Sequence, residues 1–476
     1  MADRLTVWLY GAPVAVLERE ANLRLSLSWL PEGQRRWGTG SRVLSVSLPL
    51  GARISPKDNR PLDFFENLLP EGPAKQAMAH MAGVPAADTF GLLAQFGGDC
   101  AGAVVILPEG QDLPPAGAGR YVPLSGQELM DAVRDLPVAP FGARPEVGFK
   151  PSLPGFQGKL LVGRQADGTF SRPENGAPST WILKPDGRVP MAANETACLR
   201  LALAAGLDVP QTELLDIGGT PTVAVKRYDR RPSGERLHQE DALQATGSPA
   251  GWKYEMEGGP SLRALAKIVR DFGPADGLED LLARVTFNVC IGNADAHAKN
   301  FSLLHPDDGF TVKLAPVYDL VATVALEPTN EAGERVVNDT RMGQKVDGVL
   351  DIEVVSRENL VNEGTSWGLR RAVASQTVDA MFEAVAEASR AAEPWLAELA
   401  RRRLGQLGAR PGRANRADDK DHDDDDLLAR AAKQLPLSPR AVLPRKRDKT
   451  CGFWMPKAQK RCILAPRHHG HHRSQP

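Results

Sequence analysis

Long apolar runs are missing from this sequence: nowhere do about 18 apolar residues follow one another, the length a membrane-crossing helix needs. The opening stretch MADRLTVWLYGAPVAVLERE carries Asp3 and Arg4 ahead of its apolar residues, so no secretion signal is expected either. Cysteine is scarce. The five residues Cys100, Cys198, Cys290, Cys451 and Cys462 are odd in number and scattered, unlike the paired framework of a secreted protein, and are read as reduced thiols in a cytoplasmic chain. An excess of one charge is also missing, since 58 Lys and Arg face 59 Asp and Glu. No overall field therefore draws the chain to nucleic acid or an anionic membrane, and no basic helix with interleaved aromatics suggests direct DNA contact. What the chain does have is length: 476 residues, 42% hydrophobic and 25% charged, are enough to bury two or more cores.

Residues 1–108 alternate apolar and polar at RLTVWLYG and RVLSVSLPL, as half-buried strands do, and then turn helical through DFFENLLPEGPAKQAMAHMAG. That predicts a small α+β unit. Proline and glycine crowd PEGQDLPPAGAG, so residues 109–144 are read as a linker region. Residues 145–237 are strand-rich with one helix, and 238–407 are mostly helical. Strands ahead of helices favour α+β lobes over a parallel βαβ winding. The tail, 408–476, holds ADDKDHDDDD, PRKRDK and RHHGHHRSQP and is expected to be disordered. Its His468–His472 cluster, with Cys451 and Cys462 upstream, has zinc-ligand residue types without a zinc-ligand spacing, and no metal is expected there.

One stretch concentrates polar groups between apolar flanks. In IGNADAHAKNFSLL, residues 291–304, Asn293, Asp295, His297, Lys299 and Asn300 follow a helix whose stripe is Leu278, Leu281, Leu282, Val285 and Val289. Downstream, TVKLAPVYDL alternates like a strand and would deliver Asp319 at its end. Phosphoryl transfer uses such a set. One aspartate orients the attacking hydroxyl, while an amide oxygen and a second carboxylate hold magnesium against nucleotide phosphates. Asp295 and Asn300 have the kinase D-x-x-x-x-N spacing, although NAD and YDL stand where HRD and DFG are usual. Taken alone, the spacing is a moderate signal, the alternative being a capped, hydrogen-bonded loop after a helix. Upstream, STWILKPDG is a short strand with Lys184 near its end, and NETACLRLALAAG opens a helix with Glu195 in its first turn. Lysine on a strand paired with glutamate on a helix is the ion pair a kinase requires. Singly, each has a bland surface explanation. Their order, Lys, Glu, Asp, Asn, Asp, favours function.

Across about residues 1–405 the chain resembles the HipA serine/threonine kinases, the toxin halves of bacterial toxin–antitoxin pairs: FFENLLPEG, FGGDCAGAV, VKRYDRR, HQED, KYEMEGGPS, GNADAHAKNFSLL and LAPVYDL occur in order. The resemblance implies a two-lobed protein-kinase-like α+β fold with an added N-terminal subdomain and a mostly helical C-terminal lobe. It implies ATP and magnesium, with Asp295 as catalytic base, Asn300 and Asp319 as metal ligands, and Lys184 on the phosphates. VAVKRYDRR would be the hinge, bringing Lys226 and Tyr228 near the adenine, with Gln239 and His297 on the nucleotide side. PSLPGFQGKLLVG would be the phosphate loop, with Lys159 beside its glycines; Ser152 at its start would be autophosphorylated, ejecting the loop. Pro154 and Gly158 depart from the small and acidic residues of that loop. Three functions follow: a protein kinase acting on a translation component such as an aminoacyl-tRNA synthetase, a small-molecule phosphotransferase, or a non-catalytic corepressor of a helix-turn-helix antitoxin. DNA would be touched only through that partner. Trp8, Phe64 and Phe65 are expected in cores, and Asp99 in a turn.

Overall fold

The computed structural model describes residues 4–55, 57–115, 118–187, 189–231, 233–327 and 339–408. The expectations for the tail beyond 408, its acidic run and its histidine cluster included, lie outside these residues.

The N-terminal part is an antiparallel sheet, ordered β3-β2-β1-β4, of β1 (Arg4–Leu9), β2 (Ala12–Arg19), β3 (Leu25–Trp29) and β4 (Val104–Pro108). Against it pack α1 (Pro31–Trp37), α2 (Arg60–Glu66), α3 (Gly72–Ala82) and α4 (Thr89–Phe96). Leu5, Val7, Leu9, Phe64, Phe65, Phe90 and Phe96 close this core. Each such fully buried side chain contributes roughly 1.5–3 kcal/mol. The helical run expected over DFFENLLPEGPAKQAMAHMAG is two helices. Between them, residues 67–71 form a turn that carries Glu71 out of the helical path.

RVLSVSLPL differs from expectation more sharply. Val43, Leu44, Leu48 and Leu50 are buried, yet the segment is a loop and pairs with no strand. Its polar groups are served by residues 238–244, distant along the chain, instead. Ser45 Oγ donates to Glu240 (2.6 Å), the Val46 amide donates to Glu240 (2.9 Å), Ser47 Oγ donates to the Gln244 carbonyl (2.6 Å), and His238 Nε2 lies 2.7 Å from the Leu44 carbonyl. Alternation reports one buried face, and here a loop provides it.

A six-stranded sheet follows, ordered β5-β7-β6-β8-β10-β9: β5 (Arg120–Pro123), β6 (Leu160–Arg164), β7 (Phe170–Glu174), β8 (Trp181–Pro185), β9 (Thr212–Ile217) and β10 (Thr220–Lys226). Edge strand β5 and helix α5 (Gly126–Arg134), the latter started by a Ser125–Glu128 capping box, fall in the stretch read as linker. Helix α6 (Ala192–Ala204) packs on β9 and β10, which turn back on each other at Gly218 and Gly219, both at positive φ.

The C-terminal part sets β11 (His238–Asp241), β12 (Ser302–His305) and β13 (Lys313–Leu314), with β12 central, beside α7 (Ala242–Thr246), α8 (Leu262–Phe272) and α9 (Gly277–Cys290). The pair β14 (Arg341–Val346) and β15 (Val349–Asp351) and helices α10 (Arg357–Ser366), α11 (Arg371–Ala388) and α12 (Pro394–Gln406) complete it. Leu281, Leu282, Val285 and Val289 of α9 sit in the largest core, as their helical spacing predicts. No described helix is long and apolar enough to cross a membrane.

Asp99 is not in a turn. It bridges to Pro151 and is 3% exposed, accepting from Arg230 (2.9 Å), Ser179 Oγ (2.6 Å) and the Ser179 amide (2.9 Å), with Arg236 also at 2.9 Å. Arg227 and Arg230 in turn both pair with Asp229. Burial opposes this carboxylate, but the three guanidiniums of Arg230, Arg236 and Arg227 outweigh it and hold Asp99 far below its ordinary range. The network fastens the N-terminal part to the segment after β10.

Candidate active site

A cleft of about 660 Å³ opens between the six-stranded sheet and the helical part, a volume suited to a nucleotide. Of the candidate site residues Lys159, Lys184, Glu195, Lys226, Tyr228, Gln239, Asp295, His297, Asn300, Asp319 and Ser152, all but Ser152 line it.

Lys184 enters from β8 and donates to Glu195 of α6 (2.7 Å) and to Asp319 (2.8 Å). Burial works against the ammonium, but Asp319 and Glu195 more than offset it, and Lys184 stays charged above its ordinary range. Burial likewise pushes the Glu195 carboxyl up, opposed by Lys184. Asp319 is held well below the ordinary range: burial is outweighed by Lys184, so the group remains ionised. Asp319 does not end a strand, however. β13 stops at Leu314, and the chain then runs outside the sheet, bonded by the Ala315 amide to Ser302 (2.8 Å) and the Val317 amide to Asp208 (2.8 Å). Asp319 itself is left-handed, with φ +56°, a conformation that costs a non-glycine residue about 1 kcal/mol or more and that aspartate tolerates better than most.

The loop after α9 carries Asp295, His297 and Asn300. Asn300 donates Nδ2 to the Asp295 carbonyl (3.1 Å), and the His297 amide donates to that same oxygen (2.7 Å), which closes the loop on itself. Asp295 Oδ1 accepts from Tyr254 Oη at 2.8 Å. Burial raises the Asp295 carboxyl to about 8, with Lys253 and Tyr254 pulling the other way. His297 meets the Tyr254 ring edge-on at 5.2 Å. Burial, reinforced by Lys253, lowers its imidazole to about 3, so the ring is neutral, and its Nδ1 has no hydrogen-bond partner among the described residues.

Where β10 ends, Tyr228 Oη bonds Gln239 and its ring lies 6.0 Å from that of Tyr318, while half-buried Lys226 closes the strand. In the loop before β6, Lys159 donates to the Pro154 carbonyl (2.8 Å), and burial together with Lys184 lowers its amine to about 8. A Cβ on Gly155 would stand 2.7 Å from Lys159 Nζ, and φ there is +109°, so only glycine suits that position. Ser152 is fully buried behind this loop. Its hydroxyl donates to the Leu68 carbonyl (2.7 Å) and its amide to Asp99 (3.1 Å).

Three further residues, Glu71, Lys253 and Tyr254, were given no role by the sequence. Glu71 reaches the cleft from the N-terminal part and accepts from Lys299 (2.8 Å) and Lys253 (3.1 Å), and Tyr254 holds Asp295. The motifs FFENLLPEG and KYEMEGGPS marked their neighbourhood without giving them a role.

Carboxylate and amide oxygens suit magnesium, and ionised Asp319 with Asn300 Oδ1 provides both. No group of three or more His, Cys, Asp or Glu that could hold a metal occurs among the described residues. Two protein oxygens would leave an ion's remaining ligand positions to phosphates and water.

Sheet, helical part and lysine-bridged cleft together define a protein-kinase-like fold. Family models match over both parts: the HipA N-terminal domain at residues 5–107 and the HipA-like C-terminal domain at residues 151–391. The chain belongs to the HipA family. It is 38% identical over 338 residues to "Putative kinase Y4mE" of Sinorhizobium fredii, covering 67% of this chain and 77% of that one. It is 28% identical to the serine/threonine-protein kinase toxin HipA of Shewanella oneidensis over 64% of this chain and 72% of that one. In the solved complex of Shewanella oneidensis HipA, HipB and operator DNA, a chain superposes with a TM-score of 0.68 at 23% identity, over 90% of this chain and 95% of its own. That likeness shows the fold.

Proposed function

We propose that this HipA-family protein is an ATP- and magnesium-dependent serine/threonine protein kinase, the toxin of a toxin–antitoxin pair, with a translation component such as an aminoacyl-tRNA synthetase as substrate. The observation that carries this reading is the Lys184 ammonium shared by Glu195 and Asp319 in the same cleft as Asp295 and Asn300. Magnesium, when bound, would neutralise charge on the nucleotide phosphates. Asn300 and Asp319 are the residues to hold it. Lys184 binds phosphate oxygens, and Glu195 keeps its ammonium in register. Lys159 and the glycine loop face the same phosphates, and Lys226, Tyr228, Gln239 and His297 flank the nucleotide. Asp295 takes the proton of the acceptor hydroxyl. A carboxyl raised to about 8 by burial suits that task, because a base whose pKa lies near the working pH combines availability with driving force.

Ser152 is proposed as the autophosphorylated residue. Its burial against Leu68 means that phosphorylation requires the loop to leave its seat first, and a phosphate of nearly two negative charges would keep it out. A helix-turn-helix antitoxin is the proposed partner, with DNA contacted only through it. Purified protein incubated with labelled ATP, magnesium and cell lysate tests the whole reading. Label on a foreign protein and on Ser152, abolished by Asp295→Asn, supports it, and Mg-ATP binding without transfer overturns it. Operon repression that survives Asp295→Asn separates a corepressor role from the kinase role.

A further inference from the structure

Catalysis of phosphoryl transfer is mostly a matter of placing positive charge where negative charge gathers. Two positions after Asp295 stands His297, whose ring packs edge-on against Tyr254 at 5.2 Å. One ammonium arrives from another segment. Lys253 and Tyr254 are attached to the catalytic loop at two points: the Ala298 amide donates to the Lys253 carbonyl (3.0 Å), and Tyr254 Oη donates to Asp295 (2.8 Å). The Lys253 ammonium lies 5.5 Å over the Tyr254 ring and pairs with Glu71 Oε2 at 3.1 Å, while Glu71 Oε1 takes Lys299 at 2.8 Å. Glu71 is also joined to the phosphate loop, because its amide donates to the Gly155 carbonyl (3.0 Å). One residue of the N-terminal part thus touches both the catalytic and the phosphate loops.

We propose that Glu71 is a positioning residue for phosphoryl transfer: it holds the Lys253 ammonium beside Asp295, where Lys253 neutralises charge on the group in flight, and keys that placement to the seated phosphate loop. The proposal rests on the kinase reading above. In the step concerned, the acceptor oxygen forms a bond to the terminal phosphorus while the bond from that phosphorus to the bridging oxygen breaks. The electron pair leaves with the nucleoside diphosphate, and the acceptor proton goes to Asp295. Lys253 changes no bond. A carboxylate between two lysines prevents their mutual repulsion and limits the rotamer freedom that a lone lysine keeps.

The test is steady-state phosphotransfer by the full chain carrying Glu71→Gln, Lys253→Met and both together, with nucleotide affinity and melting temperature measured on each. Glu71→Gln is expected to lower kcat about 10- to 100-fold with the KM for ATP within about threefold. The double variant is expected to be no worse than Lys253→Met, because the effect of the Glu71 carboxylate on transfer runs through Lys253 and not through its other partner, Lys299. Lys253→Arg, which keeps the charge and the pair, is expected to recover part of the rate if Lys253→Met fails to fold. Wild-type kcat in Glu71→Gln, or losses that multiply in the double variant, overturns the proposal while the kinase reading stands. Wild-type protein that binds Mg-ATP and transfers nothing overturns the kinase reading, and this proposal with it.

Discussion

Replacing Lys184 with methionine isolates what its shared ammonium does. The side chain is 9% exposed and Glu195 2%, so Lys184→Met strands a buried carboxylate; Asp319, at 43%, remains in contact with water. Removing one partner of a buried pair costs about 3–5 kcal/mol, chiefly as the penalty on the charge left behind. For a domain of this size that corresponds to a melting temperature lower by roughly 10 °C. Adding Glu195→Gln removes the stranded charge and leaves an unmade hydrogen bond of about 1–2 kcal/mol, so the double variant is expected to regain more than half of the lost stability. Activity behaves differently, since both variants lack the cation proposed to face the nucleotide phosphates and are expected to transfer phosphate at least about 100-fold more slowly. The pH dependence has a definite sign. Without Lys184, burial holds the Glu195 carboxyl above its unfolded value, so the protein is least impaired below that value and the deficit grows as pH rises. Melting curves from pH 5 to 8 together with a labelled-ATP assay read all of this. Single and double variants that melt together, or a double variant that recovers transfer, would refute the reasoning.

Tyr254→Phe deletes the 2.8 Å bond to Asp295 and keeps the ring against His297, so kcat is expected to fall about tenfold with little change in stability, as steady-state kinetics and melting on one preparation will show. Asp295→Asn should abolish transfer yet raise the melting temperature: the carboxyl sits at about 8 in the fold against about 4 unfolded, so stability is lost as pH climbs between those values, and the variant's gain should grow across that window. Asp99→Ala leaves Arg230, Arg236 and Arg227 without their shared carboxylate and is expected to cost about 3–5 kcal/mol in denaturant unfolding. Asp99 is depressed in the fold, so its contribution is present above the unfolded value near 4 and disappears as pH falls through the folded one.

The residues legible in the sequence are those whose neighbours lie close along the chain. Asp295 and Asn300 share one loop, Lys184 and Glu195 lie eleven positions apart, and α9 showed itself through helical spacing. Glu71 had no such signature, because its partners Lys253 and Lys299 are 182 and 228 residues away and nothing local distinguishes it from an ordinary helix-capping glutamate. RVLSVSLPL failed for a related reason, since alternation reveals that one face is buried but not whether a strand or a distant lobe covers it. Asp319 was found as a residue although its setting was misjudged: the strand stops at Leu314, and Asp319 follows with a left-handed backbone that an alternating pattern does not report.

The loop at residues 41–47 and the Asp99 network together make the first hundred residues a splint across the molecule, bonded on one side to Glu240, Gln244 and His238 and on the other to Arg227 and Arg230. A shortened protein beginning at β5 would therefore not be a minimal kinase. It would expose a raw face of arginines, a histidine and a glutamate that the intact chain keeps dry, and in a cell it would be a substrate for chaperones and proteases before it was an enzyme.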